Sequence, residues 1–146
     1  MPVRTDLGGL TKIASSSQTI AANSTVAFDF GTPDDIDLRN LSGYKAGSRV
    51  LVFLSAKRAA GTTSTLTFSI QDAPDSNGSI GTPAAAVVAG TVPTFGAASG
   101  AIDQAAAVGV VVQPGRAWLR VNAIHAGGGT DSFQAHCAVF SVPDGL

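Results

Sequence analysis

Apolar and polar residues alternate with a period of two in several separate stretches of the chain. From Ser64 to Gln71, Leu66, Phe68 and Ile70 fall on one side, and Thr65, Thr67, Ser69 and Gln71 on the other. That period marks a strand with one buried face. Thr25 to Phe30 repeats it, with Val26, Phe28 and Phe30 inward. An earlier strand is expected around Gln18 to Ala21, ending in the turn residues Ala22-Asn23-Ser24.

Arg49 to Lys57 is more continuously apolar, with Val50-Leu51-Val52-Phe53-Leu54 at its centre. Such a run predicts a strand covered on both faces. A two-layer sandwich covers one face only, which makes the second face a candidate interface. Arg58 to Thr63 then links this strand to the Leu66 strand, read as a hairpin. Asp72 to Ala84 carries Pro74, Asn77-Gly78, Gly81 and Pro83, the composition of a long turn-rich loop. Val87 to Phe95, broken by Gly90 and Pro93, reads as an edge strand.

Gly100 to Ala107 reads as an irregular connection, and Val108 to Gln113 as a strand stopped by Pro114-Gly115. Arg116 to His125 and Ser132 to Val142 flank a glycine-rich turn, Ala126 to Asp131, and predict a closing hairpin. Thr32-Pro33-Asp34-Asp35 offers one helix start, with a Thr cap, Pro at the first position and acids beside the dipole's positive end; it reads equally as a turn, after which Ile36-Asp37-Leu38 alternates as a short strand. No helix longer than two turns is expected.

About eight strands at spacings of roughly ten residues predict an all-β fold, a sandwich or barrel with little helix, and an antiparallel β-sandwich is the expectation taken forward. The 146 residues suit one domain. Residues 1–17 are expected to form a partly flexible N-terminal arm, because β alternation is missing before Gln18 and small polar residues cluster at Ser15-Ser16-Ser17. Residues 18–146 are expected to form the sandwich.

Composition sharpens this reading. Only 13% of residues are charged, against about 25% in ordinary soluble domains. Glutamate is absent and every acid is aspartate, a residue of turns and caps rather than helix interiors. The net charge is −1 with no basic run, so neither nucleic acid nor an anionic membrane is an expected partner. A surface poor in charge suits contact with other proteins, where burying charge is costly. The segment Met1 to Asp6 lacks the apolar core of a signal peptide, and no stretch approaches the ~18 apolar residues of a membrane helix.

Candidate chemistry is thin. Asp34-Asp35-Ile36-Asp37 is the densest acidic cluster, but it lacks the spacing of a calcium loop and reads as a solvated acidic turn. The same aspartates as a glycosidase pair would need an aromatic-lined cleft, and aromatics are 6% of the chain. His125, His136 and Cys137 leave a zinc site one ligand short and lack zinc-site spacing. Cys137, the single cysteine, reads as a buried core thiol, with the adjacent His136 pointing to the opposite face. No catalytic residue, metal site or cofactor is expected. Trp118, Arg120 and Asn122 alternate onto the polar side of a strand whose other side holds Ala117, Leu119, Val121 and Ala123. Trp and Arg are interface hot-spot residues, so these three are the expected partner-contact residues, the alternative being a tryptophan that covers the rim of the core.

Three stretches carry a resemblance. Gly47 to Lys57 is a hydrophobic strand; Thr65 to Gly78 is a strand ending in a Gln-Asp…Asp…Asn-Gly loop; Arg116 to Ile124, a glycine-rich turn and Ser132 to His136 give an aromatic-x-Arg-Val strand and its successor. Together these resemble small structural proteins of tailed bacteriophages, particularly capsid decoration (cement) proteins with a jelly-roll-like β-sandwich. The resemblance spans about two-thirds of the chain and rests on strand patterns rather than chemical motifs. It implies a non-enzymatic virion protein, made in a host cytoplasm, that sits on the capsid surface and bridges major capsid protein subunits. It also implies self-association as a dimer or trimer, with the arm ordering on the shell. The competing readings are a phage tail or surface structural protein, a carbohydrate-binding module using Trp118, and, last, an enzyme.

Overall fold

The computed structural model describes residues 10–31, 33–41, 44–59, 64–96, 100–127 and 131–143. The segments in chain order are β1 (Thr11–Ile20), β2 (Thr25–Ala27), β3 (Ile36–Asp37), a 3-10 turn (Leu38–Asn40), β4 (Arg49–Arg58), β5 (Thr65–Ala73), β6 (Asp75–Ser76), β7 (Ser79–Ile80), β8 (Ala84–Ala85), β9 (Val87–Ala89), β10 (Thr94–Gly96), β11 (Ile102–Val111), β12 (Trp118–Ala126) and β13 (Phe133–Val142). The fold is an all-β antiparallel sandwich.

One sheet, here sheet A, runs β1-β13-β4-β11-β9. The other, sheet B, has β5 and β12 at its centre, with β10 and β8 both along the outer side of β5, and β2 and β3 both along the outer side of β12. Taking β2 with β3 as one strand and β8 with β10 as another, and setting aside the β6–β7 hairpin and the short β9 at the edge of sheet A, leaves eight strands. Consecutive ones alternate between sheets, except the fourth and fifth, which adjoin in sheet B, in the orders 1-8-3-6 and 2-7-4-5. That is the jelly-roll wrapping.

Period-two parity builds the core. Val50, Val52, Leu54 and Ala56 of β4, with Phe133, Ala135, Cys137 and Val139 of β13, face Leu66, Phe68 and Ile70 of β5 and Leu119, Val121 and Ala123 of β12. Phe28 stacks on Phe68 at 6.5 Å between ring centroids, and Phe95 meets Phe68 edge-on at 5.3 Å. Cys137 is fully buried, and burial pushes its thiol up to about 12. Among the described residues the only helical element is the 3-10 turn, capped by the Asp37 carboxylate accepting from the Arg39 N–H. Pro33 to Asp35 form a bend, the turn of the two readings open from the sequence, followed by the short strand at Ile36–Asp37, and Thr32 lies outside the described residues.

Five expectations change. Residues 11–17 belong to the sandwich, not to an arm: β1 pairs with β13 from Thr11 opposite Ser141 to Ile20 opposite Phe133. Its inward side holds Ser16 and Gln18 as well as Ile20, so the alternation is invisible in hydropathy; the arm's residues 1–9 lie outside the described residues. Residues 102–111 form a ten-residue strand rather than a connection, because Ala105, Ala106 and Ala107 give no contrast between faces. The turn-rich loop holds the β6–β7 hairpin and extends β5 to Ala73. Val87 to Phe95 splits, β9 joining sheet A and β10 sheet B. Neither the link from β4 to β5 nor that from β12 to β13 is a hairpin: each crosses from one sheet to the other, as the jelly-roll wrapping requires.

Candidate functional site

Alternation along β12 sends Trp118, Arg120 and Asn122 to the outer side of sheet B, as expected. None of them stands free there. The Asn77-Gly78 turn, with both residues at positive φ (52° and 85°), closes the β6–β7 hairpin, as two-residue hairpins require. Gly81 keeps the returning chain close, since a Cβ there would stand 2.8 Å from the Pro74 carbonyl oxygen. Trp118 is accordingly 3% exposed, packed with Ala73, Ala117 and Ile80. Its indole N–H donates to Asp75 Oδ1 at 3.0 Å, and the Arg39 guanidinium lies 5.5 Å from its ring centroid.

The expectation of an outward tryptophan free for a partner is therefore corrected. The covering hairpin is distant in sequence from β12, and strand parity alone gave no sign of it. Arg120 forms a two-pronged pair with Asp35 at 2.8 and 2.9 Å, and Asn122 donates to Gln71 Oε1 at 3.0 Å. The acidic cluster is divided by the same arginines. Asp35 serves Arg120, while Asp37 takes two bonds from Arg39 at 2.9 Å, which hold its carboxyl below the usual range. Arg39 also reaches Asp75 at 3.1 Å. These carboxylates are committed to guanidinium groups rather than gathered around a cation.

A second cluster lies buried at one end of the sandwich. Arg58 shares the inward parity of Val50, Val52, Leu54 and Ala56, and its side chain is wholly buried. Its Nη1 donates to the Ser64 carbonyl at 3.0 Å and to Ser64 Oγ at 2.9 Å. Nε and Nη2 reach the Gly100 carbonyl at 3.3 and 3.2 Å, and the guanidinium sits 5.2 Å from the Phe133 ring centroid. Ser64 Oγ donates to Asp131 Oδ2 at 2.6 Å, and Arg58 lies 3.5 Å from the same oxygen. The hydroxyl and then the guanidinium hold the Asp131 carboxyl low.

His125, also buried, accepts the Asn23 N–H on Nδ1 at 3.2 Å, which leaves the ring proton on Nε2. His125 Nε2 and Asp131 Oδ1 are buried without a hydrogen-bond partner. His125 packs against the same Phe133 ring as Arg58, but the Ser64 hydroxyl is given to the Asp131 carboxylate and Ser64 is 0% exposed. An activated nucleophile needs its base on the hydroxyl, so this cluster is a polar clamp between loops. Sequence reading passed over it, although Arg58 standing on the inward parity of an apolar strand was the available signal.

The third feature is the outer face of sheet A. His136 points outward here, its Nδ1 2.9 Å from Ser17 Oγ, opposite in sense to Cys137 as the strand parity predicts. Leu51, Phe53, Ala138 and Phe140 line an open groove of about 430 Å³, with Lys12 and His136 beside it. Phe53 is 40% and Val87 49% exposed, the two exposed large hydrophobic side chains among the described residues, and both stand on this one face. The continuous apolar run of β4 has its inner side in the core and its outer side uncovered at Phe53. His125 faces the core of sheet B, Cys137 the core of sheet A and His136 the outside. No group of three metal-ligating side chains is gathered among the described residues.

No protein-family model, curated protein or solved structure matches this chain.

Proposed function

We propose that this chain is a non-enzymatic virion structural protein that binds the outside of a phage capsid and stabilises it by bridging major capsid subunits. The observation that carries this reading is the outer face of sheet A, where Phe53 lines a mainly apolar groove and Val87 stands exposed on the far edge strand β9. Exposed apolar patches rimmed by polar groups mark protein contact surfaces. The low charge of the chain and the strand patterns it shares with decoration proteins support the same reading. The buried position of Trp118 weighs against a sugar platform, which needs an accessible aromatic face.

The test is reconstitution. Neighbouring reading frames are searched for a major capsid gene, and shells assembled from that protein are co-sedimented with this chain. Stoichiometric, saturable binding that raises the temperature of shell disruption is expected. Failure to bind expanded or unexpanded shells overturns the reading.

A further inference from the structure

We infer that the outer face of sheet A is occupied by a second copy of this chain, related by a two-fold axis that runs parallel to the strands between β4 and β11. The inference rests on the reading of this face as a protein interface and names its occupant as another copy, so that the dimer meets the shell through its remaining surface.

The register across the sheet carries it. One row, running from β13 to β9, is Phe140, Leu51, Gly109, Ala89; the next is Ala138, Phe53, Ala107. In these two rows the large side chains Phe140, Leu51 and Phe53 stand on the β13–β4 half of the face and Gly109, Ala107 and Ala89 on the β11–β9 half, while the end row is Val142, Arg49, Val111, Val87. A two-fold axis between the halves exchanges them. It sets Leu51 over Gly109 of the other copy, Phe53 over Ala107 and Phe140 over Ala89, so each bulge meets a depression. Face-to-face sheets pack ~10 Å apart when side chains interdigitate in this manner.

Charge follows the same operator. Lys57 and Asp103 are register partners at the far end of the face, 3.8 Å apart and more than 70% exposed. The axis places Lys57 of each copy against Asp103 of the other, which makes an alternating ring of four charges. The size is adequate. Three ten-residue strands and the three residues of β9, at ~4.8 Å spacing and ~3.3 Å rise, give a face of roughly 500 Å². Two copies would bury roughly 1,000 Å², the size a biological interface has to reach. A net charge of −1 puts up little long-range repulsion between copies.

Sedimentation equilibrium of the isolated full chain tests this. A dimer is expected, and a monomer at 100 µM, a trimer or an open-ended series overturns the inference. Phe53→Asp should weaken the dimer at least tenfold with an unchanged melting temperature, since the ring is already 40% exposed. Gly109→Leu should do the same from the opposite half. A Cβ at Gly109 would stand an ordinary 3.5 Å from the Ala89 Cβ, so the variant folds. Lys57→Asp and Asp103→Lys should each weaken the dimer, and their combination should restore it to within threefold. Unchanged dimerisation in Phe53→Asp and Gly109→Leu, or in both single charge reversals, overturns the geometry. A monomer that still binds shells overturns this inference alone, whereas a dimer that ignores shells overturns only the capsid reading.

Discussion

The Trp118 indole N–H is bonded to the Asp75 carboxylate across 43 residues of sequence, at 3.0 Å. This contact fastens the β6–β7 hairpin over the outer side of β12 and gives sheet B a small second core with Ala73, Ala117 and Ile80. Trp118→Ala should therefore destabilise the isolated domain by about 3–5 kcal/mol, the range for buried aromatic truncations. Trp118→Phe should lose about 1 kcal/mol or more with the hydrogen bond. Denaturant melts measure both. The fluorescence of this single tryptophan should already be blue-shifted in the isolated chain and should change little on assembly. Native emission at the wavelength of a solvated indole would show that the hairpin does not cover it.

Phe28 and Phe68 are in stacking contact and nearly fully buried. Each Phe→Ala change should cost about 3–5 kcal/mol. Because the rings touch, the double variant should depart from additivity by about 0.5 kcal/mol or more. Strict additivity in a double-mutant cycle would mean that the two rings do not meet.

Arg58 donates to both the Ser64 and Gly100 carbonyls in the buried clamp, and it faces Asp131. Arg58→Ala should cost about 3–5 kcal/mol, as removal of one partner from a buried charged pair does. Arg58→Lys should recover only part of this, since an ammonium lacks the planar fork that reaches Ser64 and Gly100 together. Full recovery in Arg58→Lys would reduce the clamp to a simple charge pair.

Three carboxyls are held below their ordinary range: Asp37 by Arg39, Asp75 by the Gly78 N–H and then the Trp118 indole, and Asp131 by the Ser64 hydroxyl. Depressed values in the folded state mean that the unfolded chain takes up protons first as the pH falls. Their contribution is fully present above an unfolded carboxyl value of about 3.9 and is lost as the pH drops through the lower folded values. The denaturant midpoint should be level from pH 7 to about 5 and fall below about pH 4. In Asp131→Asn the plateau should be lower and the acid fall shallower. An acid limb identical to the parent would remove Asp131 from this account.

What the sequence makes legible is parity, and parity is local. The faces of β4, β5 and β12 follow directly from Val50, Leu66 and Leu119 and their neighbours at every second position. β1 and β11 hide because Ser16, Gln18 and the Ala105–Ala107 run blunt the contrast between inside and outside. The partners of a strand are not written in its own residues. β12 and β13 adjoin through a glycine-rich stretch, as a hairpin would, yet long-range pairing sends them to different sheets. Trp118 is correctly placed on the outer side of β12, but its cover comes from Asp75 and Ile80, which no window around Trp118 contains. The uncovered side of β4 was foreshadowed by its unbroken apolar run, while the large-and-small division of that face depends on the register with β11.

The placement of β13 between β1 and β4 has a consequence for how the molecule comes to exist. These two strands lie well before β13 in the chain, yet each pairs with it, Thr11 with Ser141 and Arg49 with Val142. During synthesis β4 can find β11, but β1 has no sheet neighbour until residues 133–142 have left the ribosome. Sheet A therefore closes only when β13 arrives, in a single event that joins distant parts of the chain. Folding dominated by such non-local pairing takes on the order of milliseconds to seconds. Through that interval the apolar strands stay open to neighbouring chains, so the yield of native protein should depend on how crowded its own nascent copies are.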